Sequence, residues 1–467
     1  MKEVAIEETF RALFALTDLR QIFRDTKPTY EFNEEQKRKI KEILDTVRKS
    51  VNIIERVLLG GSTSQFQSNE YAWKMRITDD IEVRAVEELF INIHPIQAGG
   101  RLTPEAMKAL IAYGDGYSTC DWCRKPFRLD KIKRPPIDEF HAELAEFVGM
   151  DEARVVPGAR RGFQAVVSSI VKPGDSVIVS SLAHYTEFLA VEDSGGVVKE
   201  VPVNKNNIVT AEAVAEKIEE VKKETGRLPA LIMIEHFDYI FGNEHDVREI
   251  AKVAKEYDIP FLCNCAYSLG VMPINGKEIG ADFIVGSGHK SFASPAPSGI
   301  VACTKEWADK VFRTAQMVGD VTKRKFGIKE VEMLGCTLMG GVLIAMMASF
   351  PAVKERVKRW SEEVQKSNYF VREFLKIKGN KVLSEMPRKH TLTKVDTTES
   401  FDVIARSHKR KGFFLSDELK KRRIVGEFTG ATRSWKLNTY GLTWDQIKYL
   451  AEAFKDIARK YGIEVED

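Results

Sequence analysis

The sequence predicts an α/β protein whose mainly parallel sheet is covered by helices on both faces, with two smaller domains beside it. Between about residues 90 and 330, short apolar runs alternate with amphipathic helical stretches, which is the pattern of βα units in a parallel sheet. After about residue 345, an amphipathic stretch leads into a mixed region that predicts a smaller α+β domain. Before residue 80, two apolar stripes at helical spacing predict a small helical module.

We therefore predict three domains. A helical N-terminal module occupies residues 1–80, a large α/β domain residues 81–340, and an interdomain helix with a small C-terminal domain residues 341–467. The Gly- and Ser-rich stretch 60–65 predicts a linker. The predicted strands are 176–180, 231–235, 260–264, 283–285 and 299–303. The predicted helices are 8–23, 35–58, 163–171, 211–224, 247–257, 306–313, 353–375 and 444–461.

The composition of the chain limits the cellular compartments and the binding partners that the protein is expected to have. The chain has 467 residues and a formal net charge of +3, so contact with nucleic acid depends on local basic patches. Six cysteines in so long a chain do not predict a disulfide framework, and they favour reactive thiols or metal ligands in a reducing cytoplasm. The first eight residues lack the apolar core of a signal peptide. The uncharged stretch 333–353 contains Gly, Pro and polar residues, which predicts a buried interdomain helix rather than a membrane span.

The hexapeptide Gly-Ser-Gly-His-Lys-Ser at 286–291 is the strongest indication of chemistry. It follows the apolar run 281–285, which predicts a buried strand. A lysine at the end of such a strand meets a low dielectric, which depresses its pKa, and small neighbours leave room for a cofactor. Lys290 is therefore predicted to bind pyridoxal 5'-phosphate covalently, although the hexapeptide alone is also explained by a solvated strand-end lysine.

Pyridoxal phosphate also needs an anion site for its phosphate, a partner for its pyridine nitrogen and a flat group against its ring. Gly158, Ala159 and Arg160 precede a predicted helix, whose first N–H groups can receive a phosphate. A plain helix cap is the commoner explanation of such residues. His184 follows a predicted strand and is the candidate for stacking on the ring, while Asn264 ends another strand and is the candidate for facing the pyridine nitrogen.

Cys120 and Cys123 are separated by two residues, the spacing of redox thiols or of half a metal site. Six Lys and Arg follow within eleven residues of Cys123, and neighbouring cations favour the reactive thiolate. No second pair of good zinc ligands is close in the sequence, because Cys263, Cys265 and Cys303 belong to or follow predicted strands.

A basic stretch near the C-terminus is a candidate surface for a nucleic-acid backbone. Residues 401–440 contain ten Lys and Arg against four Asp and Glu, including Arg422 and Arg423. Arg433 is a candidate for holding a phosphate of the nucleic acid or of the substrate. A solvated face on a small domain explains the same charges.

The order of these features resembles a fold-type I pyridoxal-phosphate enzyme, and more closely the O-phosphoseryl-tRNA:cysteinyl-tRNA synthase family of archaea. The resemblance covers roughly residues 90–465, and Cys-x-x-Cys after Gly-Asp-Gly-Tyr is its most specific part. The segments that carry it are Ile-His-Pro-Ile-Gln-Ala-Gly-Gly at 93–100, Gly-Asp-Gly-Tyr-Ser-Thr-Cys-Asp-Trp-Cys at 114–123, Gly-Ala-Asp-Phe-Ile-Val-Gly-Ser-Gly-His-Lys-Ser at 280–291, Leu-Gly-Cys-Thr at 334–337 and Leu-Asn-Thr-Tyr-Gly-Leu at 437–442.

The resemblance implies conversion of O-phosphoseryl-tRNA(Cys) to cysteinyl-tRNA(Cys), through β-elimination of phosphate and addition of sulfur. The cofactor-binding lysine would take the Cα proton, and cations such as His184, Arg160 or Arg433 would help the phosphate to leave. Ser287 and His289 would belong to the cofactor site. Cys120, Cys123 and Cys336 would be the working thiols. Either one of them would carry a persulfide, or all three would hold an iron–sulfur cluster that relays sulfur.

The resemblance further implies a homodimer with the site at the subunit interface, and it implies tRNA as a partner. Two positions depart from the usual pattern of fold-type I enzymes, although the tRNA-linked family that the chain resembles tolerates Asn at the first of them. Asn264 stands where most fold-type I enzymes have Asp, and a neutral partner leaves the ring a weaker electron sink, which suits β-elimination. Cys265 stands where Gly is expected.

Three alternatives stay open from the sequence. A cysteine desulfurase shares the cofactor and a reactive Cys, but it acts on free cysteine and does not need the basic stretch. A selenocysteine-forming phosphoseryl-tRNA transferase shares the substrate, but it does not need the Cys-x-x-Cys. A non-catalytic scaffold of a tRNA-synthetase complex would not need an intact Lys290. Residues 1–80 either pack as an arm on the main body or dock a partner, for which the synthetase that charges tRNA with phosphoserine is our hypothesis.

Overall fold

The computed structural model divides into two compact units, Met1–Val86 and Glu87–Asp467. The predicted linker at 60–65 lies outside the residues that the structure describes. The described residues are 2–26, 31–58, 74–76, 82–84, 90–96, 98–113, 132, 134–327, 330–333 and 340–466.

The N-terminal unit contains a pair of packed helices and a short antiparallel pair of strands. Both predicted helices are present, and the first is longer than its apolar stripe indicates. Ala15, Ile22 and Ile43 form the buried seam between them, as expected for amphipathic helices that bury one stripe. The elements are α1 (Lys2–Asp25), α2 (Glu34–Leu58), β1 (Lys74–Arg76) and β2 (Glu82–Arg84).

Helix α1 also presents an apolar face that the described residues of its unit leave open. Phe10 and Phe14 are 54% and 68% exposed, and Ile6 and Leu13 are 56% and 53% exposed. A groove of about 700 Å³ lies between the two helices and has Phe10 and Phe14 on its lining. Contiguous exposed apolar side chains of this kind usually mark an interaction surface.

The second unit begins with a short strand and then builds a large α/β domain. Its elements through residue 311 are β3 (Ile91–Asn92), α3 (Pro104–Ala112), α4 (Ile137–Phe147), β4 (Glu152–Val156), α5 (Ala159–Ile170), β5 (Ser176–Ser180), α6 (Tyr185–Asp193), β6 (Val197–Val201), α7 (Ala211–Thr225), β7 (Leu231–Glu235), α8 (Val247–Glu256), β8 (Phe261–Asn264), α9 (Gly276–Ile279), β9 (Phe283–Ser287), α10 (Gly288–Ser291), β10 (Gly299–Cys303) and α11 (Lys305–Val311).

The remaining elements form the C-terminal part of the chain, with a 3₁₀ turn at Val357–Arg359 between the first two helices. They are α12 (Gly340–Arg356), α13 (Trp360–Leu375), β11 (Lys381–Val382), β12 (Leu392–Asp396), α14 (Phe401–Ser407), α15 (Phe413–Lys421), β13 (Ile424–Val425), β14 (Ser434–Asn438) and α16 (Trp444–Lys460).

The central sheet has seven strands among the described residues, in the order β4-β10-β9-β8-β7-β5-β6. Strand β10 is antiparallel to both neighbours, and the strands from β9 to β6 are parallel. Apolar clusters lie on both faces: α4, α7, α8 and α12 contribute to one, and α5, α6 and α11 to the other. The predicted mainly parallel sheet with helices on both faces is therefore confirmed.

Two features of the C-terminal part differ from expectation. The helix predicted at 353–375 is wrong as one element, because α12 and α13 are separated by the turn at Val357–Arg359. At that end of α12, Arg356 donates hydrogen bonds to the carbonyl oxygens of Gly99, Gly270 and Ser291, which fixes the helix end to the large domain. Apolar periodicity continues through such a bend and does not reveal it. No helix among the described residues is long and apolar enough to cross a membrane.

The small domain is built around a three-stranded antiparallel sheet, β11-β12-β14, within the described residues. Its core also takes in the beginning of the second unit, because β3 pairs in parallel with β13. Ile91 and Ile93 are buried in this core, together with apolar residues of α13 and α16. The small domain is therefore assembled from chain segments on both sides of the large domain.

Candidate active site

Polar residues meet at the carboxyl ends of four adjacent strands of the central sheet. Ser180, Glu235, Asn264 and Ser287 are the last residues of β5, β7, β8 and β9, and all four are buried. The carboxyl edge of a parallel sheet is where α/β proteins usually place their binding sites. Lys290 follows β9 in the single-turn helix α10, so it lies at the same edge.

Lys290 lies in an environment that favours its neutral amine. Its Nζ lies 4.9 Å from the centre of the Tyr267 ring. Burial and then the positive charge of Lys436 lower the pKa of Lys290 to about 8, against an opposing effect of Glu187. At pH 7 roughly a tenth of the amines are then neutral, against fewer than about one in a thousand for an ordinary lysine. A neutral amine is the form that attacks a carbonyl carbon.

The N-terminus of α5 offers an anion site. Gly158 precedes this helix with φ +94°, and no side chain caps the helix start. A Cβ at Gly299 would lie 2.5 Å from the Gly158 carbonyl carbon and 2.6 Å from the Ala159 nitrogen. Because residue 299 is a glycine, β10 can pack directly against the backbone of this turn. Uncapped N–H groups at a helix N-terminus bind phosphate well.

The buried carboxyl group of Glu187 and one backbone N–H hold the Asn264 side chain. Asn264 Nδ2 donates to Glu187 Oε2 at 3.0 Å, while Asn264 Oδ1 accepts from the Ala266 N–H at 3.0 Å. Burial, and then the charge of Glu235, raise the pKa of Glu187; burial also raises the pKa of Glu235. Two carboxyls in such surroundings retain a proton near neutral pH. Glu187 Oε1 has no hydrogen-bond partner among the described residues, which leaves a polar atom for a bound molecule.

His184 supplies a flat, neutral ring at the start of α6. Its Nδ1 lies 2.9 Å from Thr186 Oγ1, and its ring packs edge-on against Tyr239 with centroids 5.0 Å apart. Burial and the charges of Lys290 and Lys436 lower the pKa of His184 to about 4. The imidazole is therefore neutral at pH 7, which suits stacking on an aromatic cofactor but not the predicted role as a cation beside the leaving phosphate.

These residues fit pyridoxal 5'-phosphate. Lys290 would be the covalent anchor, the N-terminus of α5 would receive the phosphate, Asn264 with Glu187 would form the polar end, and His184 would provide the flat face. Ser287 Oγ is buried without a hydrogen-bond partner among the described residues, so it is free to donate to a phosphate. A bound phosphate would satisfy a buried hydroxyl of this kind.

Comparison with known proteins decides the family. A family model described as "O-phosphoseryl-tRNA(Sec) selenium transferase, SepSecS" matches residues 146–467. O-phospho-L-seryl-tRNA:Cys-tRNA synthase 1 of Methanococcoides burtonii is 64% identical over 99% of this chain and 98% of its own length. The chain belongs to the O-phospho-L-seryl-tRNA:Cys-tRNA synthase family. It is an enzyme of the pyridoxal-phosphate transferase group, as the sequence predicted.

Other members of the synthase family differ in length. Synthase 2 of Methanoregula boonei is 62% identical over 99% of each chain. The synthase of Methanoculleus marisnigri is 61% identical, and 84% of this chain matches its full length. About a sixth of this chain therefore has no counterpart in the shorter family member.

Solved structures agree with the synthase family and its fold. A SepCysS–SepCysE N-terminal domain complex matches with a TM-score of 0.73 at 44% identity, over 81% of this chain and 97% of that chain. A cysteine desulfurase of Thermococcus onnurineus NA1 matches with a TM-score of 0.62 at 15% identity, over 80% of this chain and 96% of that chain. The second likeness shows the fold alone, which is the predicted fold-type I.

The structure brings together only part of the site predicted for a synthase-family member. Lys290, Asn264, His184 and Ser287 lie around the carboxyl edge of the sheet. His289 turns its ring toward the Ser298 backbone, with Nδ1 3.0 Å from the Ser298 oxygen. Ala159 begins α5, and Arg160 beside it is exposed. The three predicted working thiols, Cys120, Cys123 and Cys336, lie outside the described residues.

The predicted tRNA-binding arginines make their contacts within the small domain. Arg433 is 74% exposed and pairs with Asp402 at 3.2 Å. Arg422 pairs with Glu418 at 3.0 Å, and Arg423 is exposed at a left-handed φ of 57°. Carboxylates within the chain therefore already neutralise part of the positive charge of the basic stretch.

Several residues of the site were missed from the sequence. Glu235 could have been found, because a carboxylate ending a parallel strand is unusual for packing alone. Glu187 resembles an ordinary acidic residue in a first helical turn, and its bond to Asn264 spans 77 residues. Lys436 and Tyr239 lie near the site only because the small-domain strand β14 approaches the segment after β7.

A second thiol pair lies directly beside Asn264. The Sγ atoms of Cys263 and Cys265 lie 3.7 Å apart, within hydrogen-bond distance, and both side chains are fully buried. The hydrogen bond from Cys263, reinforced by His236, lowers the pKa of Cys265 to about 5. Burial opposes protonation of His236, but its bonds to Cys265 and Glu244 raise its pKa to about 9. Cys265, His236 and Glu244 therefore form a polar chain beside Asn264, although no group of three metal-ligating side chains that could hold a metal ion occurs among the described residues.

Proposed function

We propose that this protein converts O-phosphoseryl-tRNA(Cys) to cysteinyl-tRNA(Cys) with pyridoxal 5'-phosphate as cofactor. The observation that carries the proposal is the cluster of Lys290, Asn264 and His184 at the sheet edge, in a chain that matches named synthases along nearly its whole length. When bound, the cofactor withdraws electrons from the Cα of the amino acid. A cysteine desulfurase function is less favoured, because that likeness is limited to the fold.

In this proposal Lys290 has two functions. It holds the cofactor until the substrate amine takes its place, and its freed amine then accepts the Cα proton. The environment that lowers its pKa to about 8 keeps a useful fraction of the amine neutral near pH 7. Asn264, held by Glu187, keeps the polar end of the site in one orientation, and the neutral His184 ring covers its flat face.

The sulfur-carrying groups in this proposal are Cys120, Cys123 and Cys336. Phosphate leaves from Cβ, and a sulfur atom then adds at the same carbon. With sulfide as donor the exchange is redox-neutral, since HS⁻ replaces phosphate on carbon. A persulfide on one thiol needs a second thiol to release the sulfur, with a disulfide as the by-product. An iron–sulfur cluster on the three thiols is the alternative carrier.

The decisive assay follows phosphate and Cys-tRNA separately. Wild-type holoenzyme, given O-phosphoseryl-tRNA(Cys) and sulfide, is expected to form both products in equal amounts. Cys123→Ala is expected to release phosphate within about threefold of the wild-type rate, while Cys-tRNA falls at least about tenfold, because elimination does not use the thiol. Phosphate is measured colorimetrically, and Cys-tRNA by acid-gel separation.

Cys303→Ala is the matched control, since burial raises the pKa of this β10 thiol to about 12 and makes it unreactive. Both products should form at the wild-type rate in this variant. Turnover of free cysteine by wild type, without any reaction on the tRNA, would instead support the desulfurase. Preference for selenophosphate over sulfide would support the selenium transferase.

We further propose a cytoplasmic homodimer whose N-terminal helices dock a protein partner, the synthetase that charges tRNA with phosphoserine. The open face of α1 and its adjacent groove support a docking role. A solved relative was crystallised as a complex with another protein, and shorter family members lack about a sixth of this chain. Arg422, Arg423 and Arg433 are proposed to contact the tRNA backbone.

The docking proposal predicts that substitutions on the open face of α1 weaken binding of the synthetase without changing catalytic activity. Phe10→Asp combined with Phe14→Asp should reduce co-purification with the synthetase at least about tenfold, since buried aromatic side chains dominate interface energies. Conversion of phosphoseryl-tRNA added in excess should stay within about twofold of wild type. Val321→Asp, 84% exposed in the second unit, is the control and should change neither. Undiminished co-purification of the double variant would refute this docking face.

A further inference from the structure

Two lysines of the small domain face each other across a strand pair. In the antiparallel pair β12–β14, Lys394 lies directly opposite Lys436. Side chains at paired positions project from the same face of a sheet, and like charges there are destabilising. A sheet keeps such an arrangement more readily when an anion compensates the two charges.

No described carboxylate forms an ion pair with either lysine. Lys436 Nζ donates to the Tyr239 carbonyl oxygen at 2.5 Å and lies 4.8 Å from the Tyr239 ring centre. Lys394 Nζ lies 4.7 Å from the Phe241 ring centre. Both ammonium groups therefore rest on aromatic faces, which attract cations without neutralising them.

The acidic residue in the same segment is already engaged. Asp238 Oδ1 accepts from the N–H groups of Ile240 and Phe241, and its Oδ2 accepts from the N–H of Asn243. Asp238 forms no ion pair with Lys436. Burial lowers the pKa of Lys436 to about 8; the charge of Lys394 lowers it further, and the charge of Asp238 opposes this shift. The pair keeps an excess of positive charge at neutral pH.

This pair adjoins the cofactor site. The charge of Lys436 contributes to the lowered pKa of both Lys290 and His184. Tyr239, whose carbonyl oxygen binds Lys436, packs its ring edge-on against His184. The small domain thus brings two cations toward the carboxyl edge of the large sheet.

We propose that Lys436 and Lys394 form a phosphate-binding subsite for the acyl-tRNA substrate. The amino acid of an acyl-tRNA has its carboxylate esterified, so the anions that it brings are its own phosphoryl group and the phosphodiesters of the tRNA end. Paired ammonium groups beside the site match either one. The subsite deepens the proposed function and rests on it for the identity of the phosphate.

Inorganic phosphate is a suitable probe on the holoenzyme, because the cofactor's own phosphate then occupies the α5 end. Calorimetric titration should show phosphate binding about tenfold or more weaker in Lys436→Met and in Lys394→Met than in wild type, the loss typical of a charged hydrogen bond. Methionine keeps the aliphatic stem over the aromatic ring, so both variants should fold and hold the cofactor. Lys436→Arg should recover most of the affinity.

Lys381→Met is the matched control. Lys381 lies on β11 of the same sheet and pairs with Glu399, so its loss should leave phosphate affinity unchanged. Wild-type phosphate affinity in both Lys436→Met and Lys394→Met, with wild-type affinity for uncharged tRNA as well, would overturn the subsite.

Two further measurements identify the source of the phosphate. Weaker binding of uncharged tRNA in Lys436→Met, with a salt dependence reduced by about one phosphate contact, assigns the subsite to a phosphodiester. Unchanged tRNA binding with at least about tenfold lower kcat/KM for phosphoseryl-tRNA assigns it to the substrate phosphoryl group. The phosphate titration needs no turnover. A wild-type protein inactive on phosphoseryl-tRNA would therefore refute the proposed function while leaving the subsite standing.

Discussion

Lys290→Ala is expected to release phosphate from O-phosphoseryl-tRNA at least about a thousandfold more slowly than the wild-type protein. The substitution removes the amine that anchors the cofactor and, in the proposed function, also accepts the Cα proton. The pocket should otherwise persist, because Arg356 holds the end of α10 through a hydrogen bond to the Ser291 carbonyl oxygen, which does not involve the lysine side chain. Cofactor absorbance should shift from the covalently bound to the free-aldehyde form.

The control for this variant is Lys252→Ala. Lys252 is an exposed lysine of α8 that pairs with Glu249, and its loss should alter neither absorbance nor phosphate release. Added methylamine should restore part of the Lys290→Ala rate, since a small amine can take the place of the missing base. Phosphate release by Lys290→Ala at a rate near wild type would contradict the assignment of the base.

Gly299→Ala is expected to raise the dissociation constant for pyridoxal phosphate at least about tenfold. The added Cβ would lie 2.5 Å from the Gly158 carbonyl carbon and 2.6 Å from the Ala159 nitrogen, and backbone atoms cannot move aside as a side chain can. The start of α5 must then shift, and its N–H groups would no longer point toward the bound phosphate. Overpacking of this kind typically costs about 1–3 kcal/mol, so the melting temperature should fall as well.

Gly341→Ala is the comparison for Gly299→Ala. A Cβ at Gly341, in α12, would meet only Leu110 at an ordinary 3.6 Å, and alanine favours the helix. Cofactor affinity, measured by fluorescence titration of the cofactor-free protein, should be unchanged in this variant. Equal affinities for Gly299→Ala and wild type would show that the α5 end does not hold the phosphate.

The strands of the large domain could be predicted because their sequences are continuous apolar runs. Strands buried on both faces need such runs, as in β5 and β7. Strand β6 was missed because it is an edge strand with Lys199 and Glu200 in its sequence, and charges are typical of protected edges. Strand β4 was missed because Arg154 interrupts it, and the partner Glu330 is 176 residues away.

The site was predictable to the extent that its residues end strands or follow them directly. Lys290, Asn264 and His184 have that position, and the sequence alone placed each of them. Glu187 and Lys436 could not be found in this way, since their roles depend on contacts across 77 and 197 residues. Local patterns carry no information on which distant strand end or domain will supply the partner of a polar group.

The parallel pairing of β3 with β13 sets an order for biosynthesis. Ile91 leaves the ribosome more than three hundred residues before Ile424, its partner in the ladder. Until the end of translation, Ile91 and Ile93 lack the core that buries them. Because their apolar side chains stay exposed during this time, we expect a chaperone to bind this segment. A fragment that starts at residue 341 would in turn leave β13 without its neighbour. The small domain is completed last, although its first strand is made before the large sheet.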